Sequence, residues 1–284
     1  MKLRPFSIVS SDASSPLIIS SPHSGREYPE DFGFSCSLPD LRRAEDAYVD
    51  ELIIDAADAG TTVICAEFPR SYIDLNRAED DLDPAVLAEE WPHPLNPSPR
   101  TLQGLGLVRR LCRNGVPVYA SPLSVAAVQK RIETCYRPYH NAIEKLLTER
   151  RNAFGEAYMI DCHSMPGAPL PGGAGCQPDF VLGDRDGMSS DPSFTCLVAR
   201  LLRERGYRVA VNHPYKGVEI LRLHGKPYRG IHAVQLEIDR GLYMNEETLE
   251  RNHGFETLRG ELKNLFQRLN ERLAENLEHA AAAE

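Results

Sequence analysis

Residues 158–167 read YMIDCHSMPG. A short apolar run of strand character, bounded by turn residues, delivers His163 just past its end. A second stretch, LIISSPHSGREYP at residues 17–29, does the same with His23. Two strand ends that each present an imidazole point either to a metal or acid–base site or to two unrelated histidines. Their first consequence concerns the fold, because short buried strands of this kind belong to a sheet covered on both faces.

Working outward, strand-like and helix-like patterns alternate. PLIISS (16–21), TTVICAEF (61–68), EAYMID (156–161), RVAVN (208–212) and HAVQLEID (232–239) read as strands. Residues 40–59 carry Leu41, Ala44, Tyr48, Leu52 and Ala56 at helical spacing, with Gly60 where a C-terminal cap belongs. A long helical pattern follows Ser124, with Val125, Val128, Ile132, Cys135, Tyr139, Ile143 and Leu146 on one face. Pro138 lies inside it and is expected to kink or break it. Asp191-Pro192 opens a helix through Glu204, with proline at the favoured first position. A last helix is expected over about 246–278, its buried stripe formed by Leu258, Leu262, Leu265, Leu269 and Leu273. Residues 92–106, rich in proline, read as a surface loop, and 165–179 as a loop or a lid over a site. The fold class is therefore α/β, three-layered, with a mainly parallel central sheet flanked by helices. One domain spans 1–284.

Composition narrows the function. The 284 residues are 42% hydrophobic and 26% charged, the balance of an ordinary soluble protein. A net charge of −9 argues against nucleic acid and anionic membrane partners, although a local arginine cluster can still serve an acidic small molecule. Seven scattered cysteines with no CxxC pair point to a reducing cytoplasm and not to a disulfide framework. No feature of the pattern sets an oligomeric state.

In open α/β sheets, ligands bind beyond the carboxyl ends of the strands, and His23, His163 and Glu237 all lie at or near such ends. Imidazoles and a carboxylate suit zinc, and a nearby glutamate can move a proton for a water made acidic by the metal. Residues 40–59 offer Glu45 and Asp46 as carboxylate ligands. FPRSYIDLNRAEDD (68–81) contributes Arg70, Asn76 and Arg77, suited to orienting an acidic substrate, or else pairing with Asp74, Glu79, Asp80 and Asp81. Arg222 and His224 in LRLHGKP are pocket candidates, as is Arg240, which either binds a substrate carboxylate or holds its strand end. Cys162, beside His163, is the rival reading as an amidase nucleophile.

The ordered set SPHSGREYP, EDAYVDEL, FPRSYIDLNR, YRPYHNAIEKLL, IDCHSMP, FVLGDRDG and NHPYKGVEILRLHGKPYRGIHAVQLEIDRGLYM resembles the N-formylglutamate amidohydrolase family over roughly residues 16–246. The resemblance implies a zinc carboxypeptidase-like fold with a mixed sheet. It also implies hydrolysis of a small acidic N-acyl amino acid, with N-formyl-L-glutamate giving formate and L-glutamate as the type reaction. Carried over, His23 and His163 become ligands of one Zn2+, and Glu237 the general base. Asn76 and Arg77 become the clamp on a substrate carboxylate, and Arg70 a candidate for stabilising the oxyanion. His23 is followed three residues later by Arg26 where carboxypeptidases have a glutamate. The third ligand therefore comes from elsewhere: Asp46, with Glu45 as the alternative and Glu27 behind both.

Overall fold

The computed structural model describes residues 4–11, 14–112, 115–167 and 177–283. Two compact units interleave along the sequence. One comprises Met1–Ser7, Pro22–Ala47 and Cys65–Ala142; the other comprises Ile8–Ser21, Tyr48–Ile64 and Ile143–Glu284.

The seven strands are β1 (Phe6–Val9), β2 (Leu17–Ser21), β3 (Thr62–Ala66), β4 (Ala157–Met165), β5 (Phe180–Gly183), β6 (Val209–Val211) and β7 (Ile231–Asp239). They form one sheet in the order β1-β3-β2-β4-β7-β5-β6. The second unit is built on β2, β4, β7, β5 and β6. Both β2–β4 and β4–β7 are parallel, as is β5–β6, whereas β5 runs antiparallel to β7. The sheet is therefore mixed, and every residue of β2, β4 and β5 is buried. The sequence pattern did not mark β1 or β5 as strands: each has only four residues, too few to show a period.

The helices are α1 (Leu38–Arg42), α2 (Val49–Ile53), α3 (Pro99–Leu102), α4 (Val125–Arg131), α5 (Arg137–Phe154), α6 (Pro192–Arg203), α7 (Glu219–His224) and α8 (Phe255–Ala283). In the second unit α2 lies on β2 and β4, and α8 packs on α2 and α6. The Asp191-Pro192 signal holds, since the Asp191 side chain accepts from Ser193 N at 2.8 Å and proline takes the first turn. In α8 the expected stripe, Leu258, Leu262, Leu265, Leu269 and Leu273, is buried.

Three expectations are corrected. The helix expected over 40–59 is divided into α1, α2 and a 3₁₀ turn, Ile54–Ala59. Between α1 and α2, Asp46 N donates to His23 O at 3.0 Å, and Tyr48 takes a left-handed φ of 66°. A long-range bond and one disfavoured backbone angle thus override helical periodicity. The last helix begins at Phe255 and not near Glu246, because Asn245 Oδ1 accepts from Glu247 N and Thr248 N, folding this stretch into a turn. Pro138 does not break its helix: a π-turn at Ile132–Tyr136 carries the backbone from α4 into α5 just before it.

That π-turn has a use in the first unit. Arg131, Tyr136 and His140 each bond a carbonyl of the loop that follows β3. Arg131 Nη1 donates to Tyr72 O at 2.9 Å, Tyr136 Oη donates to Arg77 O at 2.8 Å, and His140 Nε2 lies 3.0 Å from Leu75 O. Arg131 and Tyr136 are five residues apart, a spacing that a π-turn turns toward one face and an α-helix does not. Arg131 is fully buried, bonds Tyr119 Oη at 2.7 Å and Phe32 O at 3.1 Å, and stacks on the Tyr72 ring at 4.2 Å. Replacing it by methionine leaves two carbonyls and a hydroxyl unpaired. Arg131→Met is expected to lower unfolding stability by about 3 kcal/mol in urea titration. A loss below about 1 kcal/mol would show that these bonds do not hold the loop.

Candidate active site

His23 lies two residues beyond the end of β2 and is fully buried. Its Nε2 meets Asp74 Oδ1 at 2.8 Å, and its Nδ1 faces Asp46 Oδ2 at 3.4 Å. Gly25 allows this turn to sit against the chain after β3, where a Cβ would lie 2.4 Å from Phe68 O. Asp74 Oδ1 also accepts from Asn76 N at 3.0 Å, while Oδ2 accepts from Arg70 Nη2 at 2.9 Å and Nε at 3.2 Å and from Arg109 Nη2 at 3.5 Å. Burial works against its charge, but Arg70, His23 and Arg109 outweigh it and hold the carboxyl well below the ordinary carboxylate range.

The second imidazole belongs to β4, and here the strand differs from the sequence expectation. His163 is not past the strand end but inside it, since the ladder with β7 continues through Cys162↔Leu236, His163↔Glu237, Ser164↔Ile238 and Met165↔Asp239. Asp161, two residues earlier on the same face, takes His163 Nε2 at 2.8 Å on Oδ2 and Ser20 Oγ at 2.6 Å on Oδ1. On β7 the partners of this pair are Gln235 and Glu237, and Gln235 Nε2 donates to Glu237 Oε1 at 2.8 Å. The parallel register thus sets Glu237 beside His163 on a buried strand.

His23, Asp46 and His163 each offer a donor atom, and these atoms lie within 4.8 Å of one another. All three residues are buried. Each imidazole has its Nε2 on an aspartate, the arrangement that fixes the tautomer and orientation of a metal-binding histidine. Two histidines and a carboxylate in a buried site are a donor set that zinc accepts, so these residues fit a divalent ion. Glu45 is not part of the group: its Oε1 accepts from Tyr28 Oη and its Oε2 faces Arg42 Nε at 3.8 Å. Burial raises its pKa to about 7. Glu27 is exposed, with its backbone N–H on Glu67 O.

Arg70, proposed from sequence as an oxyanion donor, is bound to Asp74 and lies 3.8 Å from Asp46 Oδ1 through Nη1. Asn76 is buried, and its backbone N–H donates to the same aspartate, Asp74. Arg77 Nη1 reaches Asp81 Oδ2 at 3.4 Å, and Asp81 also takes Ser98 N at 2.7 Å. Arg222 is half exposed and forks onto Glu219 at 2.6 Å through both Nε and Nη2. His224 is buried at the end of α7. Arg240 donates to Ser164 Oγ at 2.9 Å and faces Glu246 at 3.9 Å, so it ties the β7 end to β4. Cys162 alternates with His163 along β4 and is directed to the opposite face of the sheet, which removes the geometric basis for a Cys–His pair. Of the suspected lid at 165–179, residues 168–176 lie outside the described residues. Sequence reasoning offered Asp74 and Asp81 only as alternative partners for the arginines, and the structure pairs Arg70 with Asp74 and Arg77 with Asp81; it overlooked Asp161, Gln235 and Arg109. The D-x-H spacing of Asp161 and His163 was the one local signal available.

A family model described as N-formylglutamate amidohydrolase matches residues 15–244. N-formylglutamate deformylase of Pseudomonas putida is 33% identical over 239 residues, covering 81% of this chain and 82% of that protein. The protein of the same description from Pseudomonas aeruginosa is 30% identical, over 82% of this chain and 83% of its own. The crystal structure of N-formylglutamate amidohydrolase from Ralstonia eutropha JMP134 aligns with a TM-score of 0.91 at 41% identity, covering 96% of this chain and 100% of that one. The matched segment contains His23, Asp46, Asp74, Arg109, His163 and Glu237. Family model, relatives and fold agree, and the chain belongs to the N-formylglutamate amidohydrolase family.

Proposed function

We propose that this chain hydrolyses N-formyl-L-glutamate to formate and L-glutamate, with one zinc ion per chain held by His23, Asp46 and His163. The observation that carries the reading is the convergence of these three buried donors, with Glu237 in register with His163, in a member of this family. A zinc ion at such donors supplies Lewis acidity, lowering the pKa of water from about 16 toward 7 and polarising a carbonyl.

The protein's own groups do the rest. Glu237, steadied by Gln235, takes the proton of the attacking water as its oxygen adds to the formyl carbon. It returns that proton to the nitrogen as the C–N bond breaks, so formate and the free amine leave in balance. Asp74 and Asp161 hold the two imidazoles in the tautomer a metal requires. Asn76 and Arg77 orient the α-carboxylate, whose geometry the planar guanidinium fork of Arg77 matches. Arg70, beside Asp46 and Asp74, supplies positive charge where the oxyanion grows.

The test is formate release from N-formyl-L-glutamate by purified protein, before and after chelation and after zinc is restored. Turnover abolished by the chelator and recovered with zinc is the expected result; turnover indifferent to verified metal removal would sink the mechanism. Glu237→Gln is expected to keep its zinc while kcat falls by about 10²–10⁴-fold, and a variant as active as the parent would remove Glu237 from the proton transfer. Asp161→Asn should weaken zinc binding by about 10–100-fold in competition with a chromophoric chelator. Unchanged affinity there would mean that the aspartate does not orient His163.

A further inference from the structure

A deformylase acting on N-formylglutamate must recognise two carboxylates, and the Asn76–Arg77 clamp serves one of them. The second partner is written in the bond count at Asp74. A carboxylate offers roughly four lone-pair positions. Asp74 receives five contacts: His23 Nε2 and Asn76 N on Oδ1, Arg70 Nη2, Arg70 Nε and Arg109 Nη2 on Oδ2. The contact from Arg109, at 3.5 Å, is the longest of them. Arg70, at 2.9 Å, already holds that oxygen.

Arg109 is thus left short of negative charge. Its side chain is only 11% exposed, and its Nε–H has no hydrogen-bond partner among the described residues. Burial lowers its pKa to about 10, and repulsion from Arg70 and Arg77 adds to this against the pull of Asp74. The next residue makes the contrast. Arg110 carries its charge on Asp83, with Nε donating to Oδ2 at 2.7 Å. A largely buried guanidinium with an orphaned Nε–H and two cationic neighbours favours a further anion, because an unpaired buried donor costs about 1–3 kcal/mol. The planar fork of a guanidinium matches a carboxylate.

We propose that Arg109 binds the side-chain carboxylate of the substrate and sets the preference for an N-acyl amino acid with an acidic side chain. This rests on the deformylase reading above and deepens it. Arg77 takes the α-carboxylate and Arg109 the γ-carboxylate, so the two anionic ends of the substrate meet two separate arginines of one cluster.

The experiment compares N-formyl-L-glutamate with its uncharged isostere N-formyl-L-glutamine, using zinc-loaded parent protein, Arg109→Gln and Arg109→Lys. The parent should favour the glutamate substrate in kcat/KM, and Arg109→Gln should lose roughly a hundredfold of that ratio, chiefly through KM. Arg109→Lys, which keeps the charge but not the fork, should lose about tenfold. If Arg109 only neutralises Asp74, both substrates slow together and the ratio stays put, which overturns the proposal. Should Arg109→Gln fail to fold, the lysine variant decides by the same ratio. If the parent turns over neither substrate, the deformylase reading fails separately. Calorimetric binding of the two compounds to parent and variants then tests Arg109. A preference for the glutamate compound that Arg109→Gln abolishes supports it, and equal binding by the parent or an unchanged preference rejects it.

Discussion

The site depends on one buried carboxylate. Asp74 is fully buried, and its charge is retained there only because an imidazole and two guanidinium groups surround it. Removing a carboxylate from water costs several kcal/mol, which a single partner does not offset. Because His23, Arg70 and Arg109 all use Asp74, the orientation of a candidate metal ligand and the placement of two neighbouring cations are set by the same side chain. The loop that bears it is in turn held by carbonyl bonds from Arg131, Tyr136 and His140, so a π-turn in a distant helix reaches the chemistry through three hydrogen bonds. This is a reason for a helix to tolerate a costly irregularity.

The other imidazole is governed by the sheet. Parallel register places Asp161 opposite Gln235 and His163 opposite Glu237, and the two-residue period of each strand keeps the pairs on one face. A shift of one residue would exchange them for Cys162, Leu236 and Ile238, leaving the polar set in the core. The hydrophobic burial that fixes the register of β4 and β7 therefore also fixes the spacing between His163 and Glu237. Ser20, on β2, extends the same row by bonding Asp161.

How much of this was legible in the sequence follows from which interactions are local. Periodicity found β2, β3, β4, β6, β7, the stripe of α8 and the capped start of α6, because each rests on neighbours a few residues away. It failed over 40–59, where the bond from Asp46 N to His23 O and the left-handed Tyr48 bend a sequence that is helical by every local measure. It also ended β4 too early, since apolarity was the criterion for a strand and functional strands carry polar residues where they meet the site. Glu45 and Asp46 were adjacent carboxylates of equal promise on paper. Only the fold separates them, by giving Glu45 to Tyr28 and Arg42 and directing Asp46 toward His23. The resemblance to a known family supplied roles for His23, His163 and Glu237 but no supporting carboxylates, which show themselves through contacts distant in sequence.

A chain with a net charge of −9 would be a poor receptor for a dianion if global charge decided the matter. Screening confines surface charges to about 8 Å at physiological ionic strength, whereas buried charges are screened far less. Arg70, Arg77 and Arg109 are each largely shielded from solvent, with side chains 19%, 13% and 11% exposed, so their field acts locally and at short range. Their aspartate partners do not cancel that field evenly. Asp81 divides itself among Arg77, Ser98 and Thr101, and Asp74 divides itself among His23, Asn76, Arg70 and Arg109. Asp81 has its roughly four lone-pair positions taken up and Asp74 receives five contacts, so neither carboxylate serves its arginines alone. Sharing of this kind stabilises buried carboxylates while leaving the neighbouring guanidinium groups only partly neutralised, so a negative chain can still carry a locally positive cluster.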